Sequence, residues 1–324
     1  GQAKMILKAL KASVRTVGFC LVCVALVLIL LANRLLSLVG LCSAVDSARL
    51  ADRLANWIWT GIVKHLESGG GEFYFSGDDV PVGESAIVVC NHRMTLDWMM
   101  IFVLAAMKGR LGCCKFFAKN SIKHIPGVGW GMYLLGSVFL ARNWADDIGT
   151  IERTFSDLKS LRLPLWMISW PEGTRITPTK LKISQNFCRE RGEYVLQNLL
   201  YPRTKGFVAT LLGLGSNVDA VYDITIAYEN DCPPELMDVA SGDINRKIFL
   251  HTRRFPVGSL SKDPEALKQF CINLFREKDA LIDHFKQHGE FPGAVRRPLV
   301  LPPMELEQRP VPTATPSSPS PSRP

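Results

Sequence analysis

From Thr16 to Cys42 the chain reads as one apolar stretch broken by Asn33 and Arg34. At ~1.5 Å per residue, the part before Asn33 is marginal for crossing a bilayer, while the whole segment suffices for one tilted helix or a shallow helical hairpin. Lys4, Lys8, Lys11 and Arg15 precede it, which by the positive-inside rule keeps the N-terminal side in the cytosol. No small-residue cleavage site follows cleanly, so the segment is expected to stay as an anchor rather than leave as a signal peptide. Immediately afterwards Leu50, Leu54, Trp57, Ile58, Ile62 and Leu66 recur at helical spacing, with Arg53, Lys64 and His65 among them. That pattern suits a helix lying in a membrane interface or an ordinary amphipathic core helix, and Trp57 and Trp59 tilt the reading towards the interface.

Beyond residue 80 the period changes. The β-branched run Ala86-Ile87-Val88-Val89-Cys90 and further apolar runs at 115–118, 137–141, 165–170, 220–228 and 247–255 have the length of strands. They alternate with helical patterns at 98–107, 146–160, 184–200 and 264–288. Strands alternating with helices predict an α/β fold: a mixed central sheet flanked by helices, preceded by an N-terminal hydrophobic helical membrane anchor. Three parts follow: an anchoring segment at 1–45, a catalytic domain at 46–297 that begins with the interfacial helix, and a tail at 298–324. Proline and serine are too frequent in that tail for a packed core, so disorder is expected there. Without a second hydrophobic segment in the tail, anchoring is expected to rest on the front end.

With 324 residues of which 47% are hydrophobic, the chain can bury a large core. The formal charge of +8 suits nucleic acid, anionic lipid or an acidic small substrate. No zinc-finger, RNA-recognition or basic-zipper pattern is present, so nucleic acid is not expected as a partner. The nine cysteines are scattered without metal-ligand spacing, which reads as reduced thiols in a cytosolic setting and predicts no metal.

Two short blocks carry candidate chemistry. Asn91-His92-Arg93-Met94-Thr95-Leu96-Asp97 follows a strand run and opens a helical one. His92 has the proton affinity range of a general base, and Asp97 can accept from its other ring nitrogen. Five positions along one continuous helix would be ~500° of rotation and would turn the two apart, so the pair works only across a turn. Thr95 is a suitable N-cap, which would put Asp97 in the first helical turn. The base half of a hydrolytic triad then exists without its nucleophile, which would have to come from the substrate. The second block, Pro171-Glu172-Gly173-Thr174-Arg175, also ends a strand run; Gly173 permits close backbone approach and Arg175 can hold a phosphate bidentately. Structural alternatives are a turn-capping histidine and a surface turn with a solvated arginine.

Asn91-His92 followed by four residues and Asp97 is similar to the first motif of the glycerophospholipid acyltransferases, and Glu172-Gly173-Thr174-Arg175 resembles their third. Phe139-Leu140-Ala141-Arg142 matches the Phe-x-x-Arg second motif, and Pro126 to Trp130, behind Lys119, resembles the segment leading into it. Pro202 to Phe207, Ala220 to Thr225 and Glu277 to Leu281 resemble the eukaryotic branch that includes 1-acylglycerol-3-phosphate, lysophosphatidylinositol and lysocardiolipin acyltransferases. The resemblance covers about residues 50–293. One departure is Val221-Tyr222-Asp223-Ile224 in place of a proline-containing fourth motif, which leaves the acyl site unassigned.

The resemblance implies an enzyme that esterifies the free sn-2 hydroxyl of 1-acyl-glycerol-3-phosphate to give phosphatidic acid, with acyl-CoA as co-substrate and no cofactor. It implies His92 and Asp97 as the catalytic pair, and Arg142, Arg175, Lys119 and Lys205 as ligands of the acceptor phosphate. Asn91, Phe139, Glu172, Gly173 and Thr174 would support the motifs. Implied partners are the lysophospholipid and acyl-CoA substrates and membrane lipids, with no obligate protein partner, at an endoplasmic reticulum membrane with the site facing the cytosol. Remodelling of lysophosphatidylinositol or lysocardiolipin is the alternative within the class, and a non-enzymatic lipid-binding protein the alternative outside it. A thioesterase or lipase using Cys90 or a serine is disfavoured by the missing nucleophile elbow.

Overall fold

The computed structural model describes residues 2–125, 127–141 and 143–309, without the side chains of residues 2–5 and 7. Among them eight strands form one sheet: β1 (Gly71–Gly77), β2 (Ala86–Cys90), β3 (Cys114–Lys119), β4 (Val138–Leu140), β5 (Trp166–Ser169), β6 (Ala220–Tyr228), β7 (Arg246–Pro256) and β8 (Val295–Arg296). Their order is β4-β3-β5-β2-β6-β7-β1-β8. The five strands from β4 to β6 are mutually parallel. On the other flank β7 runs antiparallel to β6, β1 parallel to β7 and β8 antiparallel to β1, which makes the sheet mixed. The carboxyl ends of the parallel strands share one edge, the edge where such sheets present ligands.

Burial on both faces explains the sequence of the central strands. All five residues of β2 and all nine of β6 are buried, so β2 reads as an unbroken apolar run and β6 shows no polar-apolar alternation, its Asp223 and Thr225 being buried too. On one face Val88, Cys90, Ile168 and Tyr222 pack under α2 (Ala44–Ser68) and α3 (Asp97–Met107). On the other, Ile87, Val89, Met167 and Val221 pack under α5 (Trp144–Leu161), α7 (Thr204–Leu214) and α9 (Pro264–His288). Local chemistry sets the ends: Ser43, Asn143, Thr177 and Asp263 cap α2, α5, α6 (Pro178–Glu190) and α9, with proline in the first turn of the last two.

Three expectations change. The helical pattern at 184–200 ends at Glu190, because Gly192 turns left-handed at φ +66° and Asp279 then draws the backbone N–H groups of Gln197 and Asn198 into an extended run. Thr95 is not the cap of α3; Leu96 holds that place, and the Thr95 hydroxyl accepts from Arg175 instead. Residues 298–309, expected to begin a disordered tail, run as an extended strap across the amino ends of β3, β5 and β6. There Arg110 donates to Glu305 O at 2.6 Å, Arg49 to Leu306 O at 3.2 Å and Gln308 to Leu161 O at 2.9 Å. Proline-rich backbone lacks donors but keeps its carbonyls, and arginines supply what it needs. Residues 310–324 lie outside the described residues.

The N-terminal segment is a single helix, α1 (Gln2–Leu38), long and apolar enough by length and composition to cross a membrane. It lies along the domain. Lys8 pairs with Asp238 at 2.8 Å beside α8 (Leu236–Ser241), Arg15 donates to Ser241 O, and Asn33 donates to Ser47 O at 2.8 Å on α2. Leu26 and Leu30 pack with Ala51, Ala55 and Ile58. The opposite stripe, Leu10, Val14, Val17, Leu21 and Leu28, is exposed. In α2 the apolar set divides: Ile58, Ile62 and Leu66 are buried, whereas Leu50 and Trp57 face outward.

Candidate active site

The first block begins where β2 stops. Cys90 is the last residue paired with β6, opposite Ile224, and the Asn91 side chain continues the ladder in place of backbone. Its Oδ1 accepts the Ile226 N–H at 2.7 Å and its Nδ2 donates to Ile226 O at 3.0 Å. Asn91 is fully buried, so both bonds are made away from water and fix the chain just ahead of His92.

His92 and Asp97 are separated by a turn, and Asp97 is the first residue of α3. Its Oδ2 accepts His92 Nδ1 at 2.9 Å, the Arg93 N–H at 2.7 Å and the Met94 N–H at 2.9 Å. Three donors converging on one oxygen hold the turn closed. The other oxygen, Oδ1, accepts the Tyr228 hydroxyl at 2.6 Å. With all four of these donors turned towards it, the fully buried Asp97 side chain orients the imidazole so that Nδ1 carries the proton. Nε2 is then the nitrogen free to take one, and the ring keeps 21% of its side-chain surface exposed.

The second block meets the first through Glu172 rather than through Arg175 alone. Glu172 is buried at the end of β5, its Oε1 accepting the His92 N–H at 2.7 Å and its Oε2 the Leu200 N–H at 3.2 Å. Burial pushes its carboxyl up to about 8 against the pull of those two amides. Behind it Gly173 turns left-handed at φ +70°, with the Arg203 side chain 3.2 Å from where a Cβ would stand. His92 O accepts the Ile176 N–H at 3.0 Å, closing the two blocks into one unit.

The candidate cations sit at different places around this unit. Arg175 is exposed and donates to the Thr95 hydroxyl at 2.7 Å, on the rim of the His92 turn. Lys119 is exposed at the end of β3. Lys205, in the first turn of α7, lies 6.0 Å from the Trp144 ring centre at the mouth of a groove between α5 and α7. Arg142 lies outside the described residues. Phe139 is buried in β4, with Lys123 5.1 Å from its ring centre. Thr174 supports the turn from within: its hydroxyl accepts from Lys180 at 2.7 Å, and Lys180 also donates to Arg175 O at 3.2 Å.

Four residues at the site escape sequence reasoning. Tyr228 and Arg93 contact the pair or its turn, Arg93 forming an ion pair with Asp231. Trp170 lies with its ring centre 5.3 Å from that of His92, and Lys180 backs the Gly173 turn. The available signal was Tyr228 at the end of a fully buried strand, where a buried hydroxyl must find a partner. Cys90, the thiol considered as a nucleophile, is fully buried and pushed far above the usual thiol range by that burial, which removes it as an attacking group.

A family model described as Acyltransferase matches residues 72–229, and a second described as Acyltransferase C-terminus matches 241–317. The 1-acyl-sn-glycerol-3-phosphate acyltransferase gamma of Pongo abelii is 32% identical over 77% of this chain and 68% of its own length. The chain belongs to the glycerophospholipid acyltransferase family. The Arabidopsis thaliana protein named probable 1-acyl-sn-glycerol-3-phosphate acyltransferase 5 is 36% identical over 68% of this chain and 58% of its own length. Lysocardiolipin acyltransferase 1 of Gallus gallus is 30% identical over 74% and 65%. This acyltransferase-family chain thus spans about three fifths of the length of the Arabidopsis relatives. The crystal structure of the PlsC acyltransferase of Thermotoga maritima superposes with a TM-score of 0.47 at 17% identity, covering 83% of this chain and 98% of that one.

Proposed function

We propose that the protein transfers the acyl group of an acyl-CoA to the free sn-2 hydroxyl of 1-acyl-glycerol-3-phosphate, giving phosphatidic acid and free CoA. The observation that carries this reading is the His92–Asp97 pair, whose carboxylate is held by four donors and whose second ring nitrogen is uncommitted. In the reaction Nε2 takes the proton of the acceptor hydroxyl while its oxygen attacks the thioester carbonyl. Collapse of the tetrahedral intermediate breaks the C–S bond, and the imidazolium returns the proton to the CoA sulfur. Arg175, beside the turn, binds the acceptor phosphate, with Arg142 next to the Phe139 motif as a second cation.

The membrane supplies the acceptor. With Lys8, Arg15 and Asn33 fastening one face of α1 to the domain, its exposed apolar stripe enters one leaflet and seats the protein on the cytosolic side of the endoplasmic reticulum membrane. The relative named lysocardiolipin acyltransferase brings a second reading, in which a larger lysophospholipid is the acceptor.

The test is release of free thiol from acyl-CoA by purified protein, with lysophosphatidate, lysophosphatidylinositol and lysocardiolipin offered in turn. Turnover with lysophosphatidate, abolished in folded His92→Ala, is the expected result. Undiminished turnover in that variant overturns the mechanism, and turnover confined to another acceptor replaces the substrate. No thiol release with any acceptor favours a lipid-binding role.

A further inference from the structure

Tyr228 closes the last residue position of β6, and Asn91 is what brings it under the catalytic turn. By pairing with both backbone groups of Ile226, Asn91 fixes the register of β6 against the His92 turn, and Tyr228, two residues on, falls on the same face of the strand. That face is covered by α3, whose first residue is Asp97. The hydroxyl meets Asp97 Oδ1 at 2.6 Å, the short distance of a charge-assisted O–H to carboxylate bond, and Tyr228 is 1% exposed.

The two carboxylate oxygens are therefore loaded unequally. Oδ2 faces His92 Nδ1 and the amides of Arg93 and Met94, all on the turn itself. The sole described donor to Oδ1 comes from a distant strand. The remaining charged neighbours are Arg93, already ion-paired with Asp231, and Glu172. Burial and the facing Asp97 carboxylate push the phenol well above its usual range, so Tyr228 keeps its proton and is not a relay.

We propose that Tyr228 is a positioning residue for the acyl-transfer base: its hydroxyl draws part of the Asp97 charge onto Oδ1, fixing the carboxylate plane and moderating how strongly Asp97 holds the imidazolium. The inference rests on the reading of His92 as the base. It goes beyond a structural role because the hydroxyl acts on proton affinity, whereas the ring serves packing.

The test compares Tyr228→Phe, which keeps the ring, with Tyr228→Leu, which removes it. In Tyr228→Phe kcat falls by about tenfold with KM for both substrates unchanged, the scale of losing one charge-assisted hydrogen bond. The acidic limb of the kcat/KM profile moves to higher pH, since an unshared carboxylate favours the imidazolium. A second readout needs no turnover: the His92 Nδ1–H proton resonance, identified by its loss in His92→Ala, moves downfield in Tyr228→Phe. Tyr228→Leu shows the same shifts and a lower Tm. If wild-type protein transfers no acyl group the functional reading falls, and the resonance alone decides this one. A resonance and profile unmoved in Tyr228→Phe, whatever happens to kcat, would overturn the proposal and leave Tyr228 a packing residue.

Discussion

Glu172 accepts the backbone N–H of His92 at 2.7 Å, so the third motif holds the first by its carboxylate rather than by its arginine. The bond crosses from the end of β5 to the end of β2, neighbouring parallel strands. Glu172→Ala therefore leaves two buried amides, those of His92 and Leu200, without acceptors. At about 1–3 kcal/mol for each orphaned group, a loss of roughly 2–6 kcal/mol is expected in denaturant unfolding, together with a fall in kcat as His92 loses its anchor. A variant as stable and as active as wild type would show that the amides find other partners.

The same carboxyl makes stability depend on pH with a definite sign. Its folded value, raised by burial to about 8, lies above the ordinary value of 4.5 that the unfolded chain retains. Below about 4.5 both states are protonated; between there and about 8 the unfolded chain releases a proton that the folded chain keeps. The unfolded state binds fewer protons in that window, so stability falls as pH rises through it, by an amount on the order of a few kcal/mol, and levels off above. The Tm of Glu172→Gln, which cannot ionise, should vary less between pH 5 and about 8 than that of wild type. Parallel curves for the two proteins would assign the slope to other groups.

Arg175 is exposed and oriented by one bond to the Thr95 hydroxyl, so its charge is available to a ligand at little cost to the fold. Arg175→Ala should raise KM for lysophosphatidate by about tenfold, the loss of one charge-assisted contact, while kcat and Tm stay near wild type. Thr95→Val, which removes the orienting oxygen, should raise KM less. An unchanged KM in Arg175→Ala would count against the phosphate role.

What the sequence made legible follows from how far each cause reaches along the chain. The strand at 220–228 and the helix at 264–288 match β6 and α9 end to end, because burial on both faces and a capped, proline-started helix leave local marks. His92 and Asp97 were singled out by residue type and by the resemblance of their block to a known motif; the five-residue spacing added the condition of an intervening turn, which the structure meets. Tyr228 is 131 positions from Asp97, and only the sheet order β2-β6 makes them neighbours. For the same reason Glu172 read as motif support rather than as a clamp. Strand β1, seven residues bounded by glycines, carried too little pattern to be seen.

Lys278 is fully buried on α9, with Nζ 2.6 Å from Asp223 Oδ1 and donating to Ile224 O at 2.6 Å and to Val89 O at 3.3 Å. Those carbonyls belong to β6 and β2 just before Cys90, so one ammonium ties together the two strands that carry Tyr228 and His92. Burial lowers its proton affinity, and Asp223, itself held also by Arg253, restores part of it. Lys278→Met keeps the unbranched stem of the side chain, one atom shorter, but leaves a buried carboxylate with one fewer partner, which should cost about 3–5 kcal/mol in denaturant unfolding. Adding Asp223→Asn removes that stranded charge, so the double variant should be less destabilised than the sum of the two single ones. Strict additivity would mean that Lys278 acts through the strand carbonyls alone, and that Asp223 answers only to Arg253.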